Sequence, residues 1–553
     1  MKKHFLFSIL LGWVFTLPCN AAQEGRQIKD LTSSSWSITL DKTAKWQNDK
    51  LYLPPVNPEN LPINLPSGGW TLLDNPDTTG ITLPATVEGT LWGYNGQTFG
   101  VTGNYTGVSW FHTRTFIPQS WKGKRIVLQV GSVRFRAEIF INRELSGYDL
   151  VNSTPFDIDI TPYVKYGKEN EIAFRITDPN GNFNWKDSQL YTWGNYFTNP
   201  SHGFGGITGK VTLIATDPLY ISDVFIKNKP QPHEIEVEIS LDNGYADVQK
   251  GKGIQLEIME HVSGKSIYKK EYSLPPLQTG SNTQTYHIAL PKAKLWSIDS
   301  PNLYDLKVTV GNDNRSQRFG FRWFEIKDIN GDKQFYLNGK RIVLRTAISW
   351  SFWPDNGIAP TDELARRQIE IAKKLGLNML NFHRTIGAPN VLDYADELGL
   401  LYFEEPGGNQ YSASRFNDGT EATAFYFGYR NEKLARMIKR DRNHPSLVIY
   451  NLHNERGAWP QRQDYDQMRM AHAIDPTRIL TYNSSNGENP LNEPNARFKL
   501  HLLPYDTTFY DYGWYDRHHA GGPGCYHDNL YLGKDNYHRY SDHRDEIVYW
   551  GED

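Results

Sequence analysis

The chain has 553 residues, more than one hydrophobic core usually organises, so we expect several domains. Hydrophobic residues make up 39% and charged residues 22%, and these ordinary values exclude a wholly disordered chain, a collagen-like fibre and a coiled coil. The net charge of −3, without a strongly basic stripe, excludes a typical nucleic-acid binder. Aromatic residues reach 13%, and their flat apolar faces suit protein cores and sugar rings alike.

The first 22 residues have the pattern of a secretory signal peptide. Lys2 and Lys3 precede an apolar run at 5–17, and small residues suited to cleavage follow at 19–22. The pattern predicts export to the periplasm or the exterior, with a lipid-anchored form through Cys19 as the less favoured alternative. No later stretch is predicted to span a membrane. After cleavage only Cys525 remains, which excludes an internal disulfide framework.

Two β-rich regions follow the signal peptide. Residues 23–220 contain short alternating runs at 125–130, 137–142 and 171–176, which predict a β-sandwich. Residues 221–325 alternate strictly at 233–239 and contain a further apolar run at 306–310. The size of this second region indicates an immunoglobulin-like sandwich.

From about residue 326 predicted strands alternate with predicted helices, the pattern of a parallel (β/α)8 TIM barrel. Thr361 is expected to cap a helix that ends at Gly376, and further helices are predicted at 391–398 and 432–440. The apolar stripe of the first helix is predicted to comprise Leu364, Ala365, Ile369, Ala372 and Leu375. The predicted strands are 342–346, 377–382, 400–403, 447–452, 479–482, 499–503 and 547–550. Because a closed barrel has eight strands, we expect the catalytic region, 326–553, to be truncated.

Glu455 follows a buried strand pattern, at the position where barrels carry catalytic groups. Asn454 precedes it, so a carboxyl group and an amide are predicted to lie together at the carboxyl end of the strand. A solvated loop glutamate explains this local pattern equally well.

The string at 443–455, Asn-His-Pro-Ser-Leu-Val-Ile-Tyr-Asn-Leu-His-Asn-Glu, resembles the acid/base signature of glycoside hydrolase family 2. The resemblance implies that Glu455 donates a proton to the glycosidic oxygen and that Asn454 hydrogen-bonds the 2-hydroxyl group of the sugar. It further implies hydrolysis of a β-glycoside with retention, of the kind catalysed by β-galactosidases and β-glucuronidases.

Other strings resemble the same family in the same order along the chain. Those at 107–116, 154–160 and 202–207 are similar to its N-terminal, jelly-roll type sugar-binding sandwich. The string at 295–304 is similar to its immunoglobulin-like domain, and those at 319–322 and 337–340 to the entry of its barrel. The resemblance therefore implies all three domains.

A retaining mechanism needs a second carboxylate about 5–5.5 Å from the first. Glu552 is the candidate nucleophile because it follows the predicted last strand, and its distance along the chain from Glu455 resembles that in the family. The surrounding Trp-Gly-Glu-Asp differs from the family's usual residues, and a terminal acid without a catalytic role is the alternative.

The predicted substrate pocket rests partly on the family resemblance. Tyr505 resembles a tyrosine at the sixth strand end that hydrogen-bonds the nucleophile, with a core tyrosine as the alternative. Arg384 is a candidate for binding a uronic-acid carboxylate because its planar fork suits that group. The candidate pocket walls are Trp350, Trp353, His383, Arg384 and Trp459, and structural packing is the alternative for each of them.

The histidines show no spacing typical of a zinc site, so we expect neither a metal nor a cofactor. The expected partner is an oligosaccharide or a polysaccharide-derived glycoside, and the pattern leaves the sugar and the oligomeric state open. The alternative function is a non-catalytic carbohydrate-binding or scaffold protein derived from such an enzyme.

Overall fold

The computed structural model describes residues 25–74, 79–91, 105–179, 191–198, 204–350, 353, 359–407, 419–454, 460–484, 500–511, 514–518 and 547–552. The predicted signal peptide lies outside these residues. None of the described helices is long and apolar enough to cross a bilayer.

The N-terminal region folds as a sandwich of a six-stranded sheet, β3-β2-β5-β11-β8-β9, and a four-stranded sheet, β1-β15-β6-β10. The predicted run at 125–130 is β6 itself, and its apolar residues pack with those of the facing sheet in one core. The strands are β1 (Gln27–Asp30), β2 (Trp36–Asp41), β3 (Thr79–Ile81), β4 (Ala85–Thr86), β5 (Gly107–Ile117), β6 (Arg125–Val130), β7 (Val133–Arg134), β8 (Arg136–Ile141), β9 (Glu144–Asp149), β10 (Phe156–Asp159), β11 (Lys168–Asp178), β12 (Tyr191–Trp193), β13 (Tyr196–Thr198), β14 (Gly206–Ile207) and β15 (Val211–Thr216). One short helix, α1 (Val87–Leu91), follows β4.

The second region is a smaller sandwich of two antiparallel sheets, β16-β17-β20 and β19-β18-β21-β22. Alternate residues of β17 are buried, as expected for an antiparallel sheet with one face toward solvent. Its strands are β16 (Leu219–Asn228), β17 (Glu234–Asn243), β18 (Gly253–Glu260), β19 (Ser266–Ser273), β20 (Gly280–Ala289), β21 (Tyr304–Val310) and β22 (Asp313–Phe319).

A small antiparallel sheet leads from the second sandwich into the barrel. It contains β23 (Phe324–Ile329), β24 (Asp332–Leu337) and β25 (Lys340–Arg341). Asn338 and Gly339 have φ of 52° and 75°, the combination that a two-residue hairpin turn requires. Because Ile342 N–H bonds the oxygen of Phe335 in this hairpin, the first barrel strand begins at Thr346 and not at the predicted Ile342.

The barrel region has a seven-stranded sheet in the order β26 to β32, packed against four helices. The strands are β26 (Thr346–Ser349), β27 (Met379–Phe382), β28 (Leu401–Glu404), β29 (Leu447–Asn454), β30 (Ile479–Ser484), β31 (Leu500–Leu502) and β32 (Tyr510–Asp511), and beyond this sheet lie β33 (Trp514–His518) and β34 (Ile547–Glu552). The helices are α2 (Asp362–Lys374), α3 (Pro389–Leu398), α4 (Glu421–Asp441) and α5 (Arg462–Ile474). The predicted fold class of two sandwiches and a barrel is thus confirmed.

Three local predictions differ from the structure. Leu375, predicted in the apolar stripe of α2, follows the end of the helix and is 74% exposed. Helix α4 begins at Glu421, eleven residues before the predicted start at Glu432, because Thr420 caps it and its added turns pack on the N-terminal sandwich. Helix α5 was not predicted, although the side chains of Gln461 and Asp464 form a capping box at its start.

Candidate active site

Five strand ends converge at one edge of the barrel sheet. Strands β26 to β30 pair in parallel, so their carboxyl ends lie on the same side. The residues that end or directly follow these strands include Ser349, His383, Glu405, Asn454 and Ser484. In barrels this edge carries the catalytic groups.

Asn454, the last residue of β29, is fully buried at this edge. It lies opposite Ser484 in the parallel register of β29 and β30, and Ser484 Oγ donates to Asn454 Oδ1 over 2.8 Å. With Oδ1 accepting from the serine, the amide presents its NH2 group as a donor. The amide of Asn454 therefore has a defined orientation at the carboxyl end of β29.

Glu405 is a buried acid of this site that sequence reasoning missed. One of its carboxylate oxygens, Oε1, accepts from Asn451 Nδ2 at 3.1 Å and from Ser484 Oγ at 3.2 Å. The other, Oε2, accepts from the backbone N–H of Arg384 at 2.9 Å. The signal was present, because Glu405 follows the apolar strand β28 just as Glu455 follows β29.

The structure brings three predicted pocket residues together. The rings of Trp350 and His383 meet edge to face, with centroids 4.3 Å apart, and Arg384 Cζ lies 5.8 Å from the centroid of the Trp350 ring. Arg384 has φ of +56°, a conformation that costs free energy for a residue with a branched or long side chain. Its side chain is held at the site in spite of that cost.

A buried polar network lies beside Asn454. His453 Nε2 is 3.2 Å from Asp464 Oδ1 of α5, and Arg430 Nη2 of α4 is 3.0 Å from the same ring nitrogen. Arg430 Nη2 also donates to Gln467 Oε1 over 2.9 Å. These contacts tie the end of β29 to two helices, and no local pattern in the sequence predicts them.

Glu404 and Glu405 are neighbours with different environments. Glu404 Oε1 accepts from the backbone N–H of Gly387 at 3.2 Å and lies 3.5 Å from Arg440 Nη2. Burial and the nearby Asp441 carboxylate raise the pKa of Glu404 well above its ordinary value, against the opposing charge of Arg440. Glu404 is thus favoured in its neutral form, whereas Glu405 accepts three hydrogen bonds.

Two predicted pocket residues lie elsewhere. Strand β31 runs antiparallel to β30, so the chain returns toward the amino ends of the parallel strands. Tyr505 there bonds through its backbone N–H to Pro476 O, and its hydroxyl donates to Asn228 O of the second sandwich over 2.8 Å. Its predicted place beside the nucleophile is therefore not found. Trp353 is buried in the core cluster between the barrel strands and helices, in agreement with the packing alternative.

Glu455 and Trp459 lie outside the described residues. Glu552 ends β34, whose backbone pairs in parallel with β33 and lies against β26, the first barrel strand. Within the described part of the chain, no three His, Cys, Asp or Glu side chains are grouped so that they could hold a metal ion.

Three family models match consecutive parts of the chain. The sugar-binding domain of glycosyl hydrolases family 2 matches residues 29–216, the central family 2 domain 219–322, and the family 2 TIM barrel domain 326–512.

Curated relatives carry names of two enzyme types. The chain is 29% identical over 385 residues to a β-galactosidase from Thermoanaerobacter pseudethanolicus, a match that covers 68% of this chain and 48% of the relative. It is 24% identical over 448 residues to a β-glucuronidase from Bacteroides fragilis, covering 75% of this chain and 59% of the relative. The chain thus spans about half the length of these relatives.

Solved structures show the same fold. A family 2 glycosyl hydrolase from Bacteroides cellulosilyticus superimposes with a TM-score of 0.68 at 18% identity, over 95% of this chain and 64% of the other. A β-D-glucuronidase from Dictyoglomus thermophilum gives a TM-score of 0.65 at 18% identity, over 95% of this chain and 82% of the other. With three successive domain matches in family order and a strand-end site of the expected form, this chain belongs to glycoside hydrolase family 2.

Proposed function

We propose that this chain carries the catalytic machinery of a retaining β-glycosidase, which releases a sugar from the non-reducing end of a β-glycoside. The observation that carries the proposal is the placement of Asn454, buried and oriented by Ser484 where five parallel strands end. Glu455 is the next residue along the chain. Curated relatives named β-galactosidase and β-glucuronidase support the same reaction class.

In the proposed reaction, the Glu552 carboxylate attacks the anomeric carbon while Glu455 donates its proton to the departing glycosidic oxygen. The bond from carbon to that oxygen breaks, and a glycosyl ester on Glu552 forms. Glu455, now ionised, removes a proton from water, which attacks the anomeric carbon and releases Glu552. An ionised Glu552 close to Glu455 would keep the latter protonated before the first step, because like charges raise the pKa of a carboxyl group.

The proposed substrate is a β-galactoside or a β-glucuronide. Trp350 offers an apolar ring beside His383, a surface of the kind that packs on the C–H face of a sugar. Arg384 lies near the same ring and supports a uronic acid, because a guanidinium forms paired hydrogen bonds with a carboxylate. These residues act in binding, and the two glutamates carry out the bond changes.

A panel of 4-nitrophenyl β-glycosides tests the proposed reaction on the native protein that contains this chain. We expect release of nitrophenol from the galactoside or the glucuronide, and a stable adduct at Glu552 with the matching 2-fluoroglycoside, located by peptide mass spectrometry. Turnover without an adduct at Glu552 would overturn the retaining assignment. If no glycoside were cleaved and no adduct formed, the non-catalytic carbohydrate-binding function would replace the proposal.

Variants separate the two proposed roles. Glu552→Gln should abolish turnover of every substrate, since it removes the nucleophile. Glu455→Ala should retain glycosylation by 2,4-dinitrophenyl glycosides, whose leaving group needs no proton, and azide should restore turnover and yield a β-glycosyl azide. Glu363→Gln, a change at an exposed residue of α2, is the control and should behave like the unchanged protein.

A further inference from the structure

Glu405 is a buried carboxylate with donors from three different parts of the site. The Arg384 N–H follows β27, Asn451 lies within β29, and Ser484 ends β30. Glu405 and Ser484 are both 1% exposed, and Asn451 is fully buried. A charge-assisted hydrogen bond is about twice as strong as a neutral one, so this single side chain holds three neighbouring segments together.

The contacts of Glu405 need a hydrogen-bond acceptor at both oxygens of its side chain. Both of its oxygens accept, Oε1 from two side chains and Oε2 from a backbone amide. In a glutamine, one oxygen is replaced by an NH2 group, which would face a donor. Leaving a buried donor without its acceptor costs about 1–3 kcal/mol, so the neighbouring segments would shift to avoid that arrangement.

Ser484 connects Glu405 to Asn454. Its hydroxyl oxygen is 2.8 Å from Asn454 Oδ1 and 3.2 Å from Glu405 Oε1, so one hydroxyl proton lies between two acceptors. Asn451 Nδ2 donates to the same hydroxyl oxygen over 3.2 Å, which fixes its position. The orientation of the Asn454 amide therefore depends on this serine and on the carboxylate behind it.

We propose that Glu405 is a positioning residue that orients the Asn454 amide toward the 2-hydroxyl group of the sugar, acting through Ser484 and Asn451. The proposal rests on the proposed function, since it assumes that Asn454 contacts the substrate. Glu405 takes no part in bond making or proton transfer. Its role is to hold the amide in the geometry that the transition state needs.

The test compares a 2-hydroxy substrate with its 2-deoxy counterpart, using whichever of 4-nitrophenyl β-galactoside or β-glucuronide the unchanged protein cleaves faster. Glu405→Gln should lower kcat/KM on the 2-hydroxy substrate by about 100-fold, the loss expected when a reacting geometry shifts by about 1 Å. The 2-deoxy substrate lacks the contact, so its kcat/KM should change little. In an Asn454→Ala background, Glu405→Gln should add little further loss, because both changes remove the same interaction.

Ser484 variants test the connection independently of the carboxylate. Ser484→Ala should reproduce the selective loss on the 2-hydroxy substrate, and Ser484→Thr, which keeps the hydroxyl group, should restore much of it. The two Ser484 variants also test the positioning role if Glu405→Gln does not fold. The control is Glu404→Gln, which changes the adjacent buried glutamate at Arg440 and should leave the ratio of the two substrates unchanged.

Equal losses on both substrates in the Glu405 and Ser484 variants would overturn the proposal, since they would indicate general support of the fold. Unchanged kcat/KM on the 2-hydroxy substrate would overturn it as well. Failure of the proposed function is a separate result, because the unchanged protein would then cleave neither substrate.

Discussion

Arg322 Nη2 donates to the backbone oxygen of Leu447 over 2.8 Å, which joins the end of the second sandwich to the start of β29. Its Nε donates to Pro445 O over 3.1 Å, and the side chain is almost completely buried. The strand that carries Asn454 is thus anchored at its first residue by a different domain.

Arg322→Lys should destabilise the protein, because an ammonium group cannot reach both carbonyl oxygens in the geometry of the guanidinium. We expect a loss of about 1–3 kcal/mol for the buried group left without a partner, measured by urea unfolding. The control is Arg318→Lys, at a partly exposed arginine that pairs with Glu397 at 3.1 Å across the same two domains. An exposed pair contributes less than about 1 kcal/mol, so equal losses in the two variants would contradict this account.

Gly399→Ala should be more destabilising than Gly376→Ala. Both glycines have positive φ, +76° and +81°, so both variants lose about 1–2 kcal/mol from the backbone conformation. A Cβ at Gly399 would lie 2.4 Å from Ile298 O of the neighbouring domain, whereas one at Gly376 would meet no atom within 4 Å. We expect a further loss of about 1–3 kcal/mol at Gly399 in thermal or urea unfolding. Similar free energies of unfolding for Gly399→Ala and Gly376→Ala would contradict this account, because they would show that the backbone at Ile298 moves aside without a cost.

Glu88→Gln should make the protein less sensitive to alkaline pH. Burial and the Asp178 carboxylate raise the pKa of Glu88 from 4.5 to about 8, although its Oε1 accepts from the Tyr105 N–H. The pKa of Glu88 is higher in the folded than in the unfolded protein. Its protonation therefore contributes fully to stability below pH 4.5, and this contribution is lost as the pH rises to about 8. The difference corresponds to at most about 5 kcal/mol.

The measurement for Glu88 is the free energy of unfolding at a series of pH values between 5 and 9 (roughly the window in which the linkage acts). The free energy of unfolding of Glu88→Gln relative to that of the unchanged protein should rise across that range. Glu363→Gln, at an exposed position, should show no such trend. A pH-independent difference would rule out the raised pKa.

Arg384→Gln should lower activity on a β-glucuronide more than on a β-galactoside. Loss of a charge-assisted hydrogen bond to the sugar carboxylate costs about 2 kcal/mol, or about thirtyfold in kcat/KM. The galactoside has no carboxylate, so its kcat/KM should fall much less. The control is Arg366→Gln on the exposed side of α2. Equal losses on both sugars would assign Arg384 to packing against Trp350 instead of carboxylate binding.

Local sequence patterns predict the order of domains, because alternation of period two gives way to helical periodicity near residue 326 whatever the tertiary contacts are. They also predict Asn454 as a strand-end residue, since a buried parallel strand reads as a continuous apolar run. Local patterns of this kind need no knowledge of distant residues.

Long-range contacts, and not the local pattern, assign different roles to residues within the string at 443–455. Asn443 bonds the backbone of Ile226 and Val224 in the second sandwich and so joins two domains, whereas the Ser446 N–H donates to Asp396 Oδ1 of α3 within the barrel. Asn454 lies at the opposite end of the strand, at the site. The role of each residue depends on hydrogen-bond partners that are far away along the chain. A local sequence pattern carries no information about those partners.

The same reason explains the other differences. Glu405 joins the site through Ser484, and Tyr505 leaves it because β31 runs antiparallel and brings the hydroxyl to Asn228. Strand direction and long-range hydrogen bonds are set by packing of the whole barrel, which the spacing of residues in the sequence does not specify.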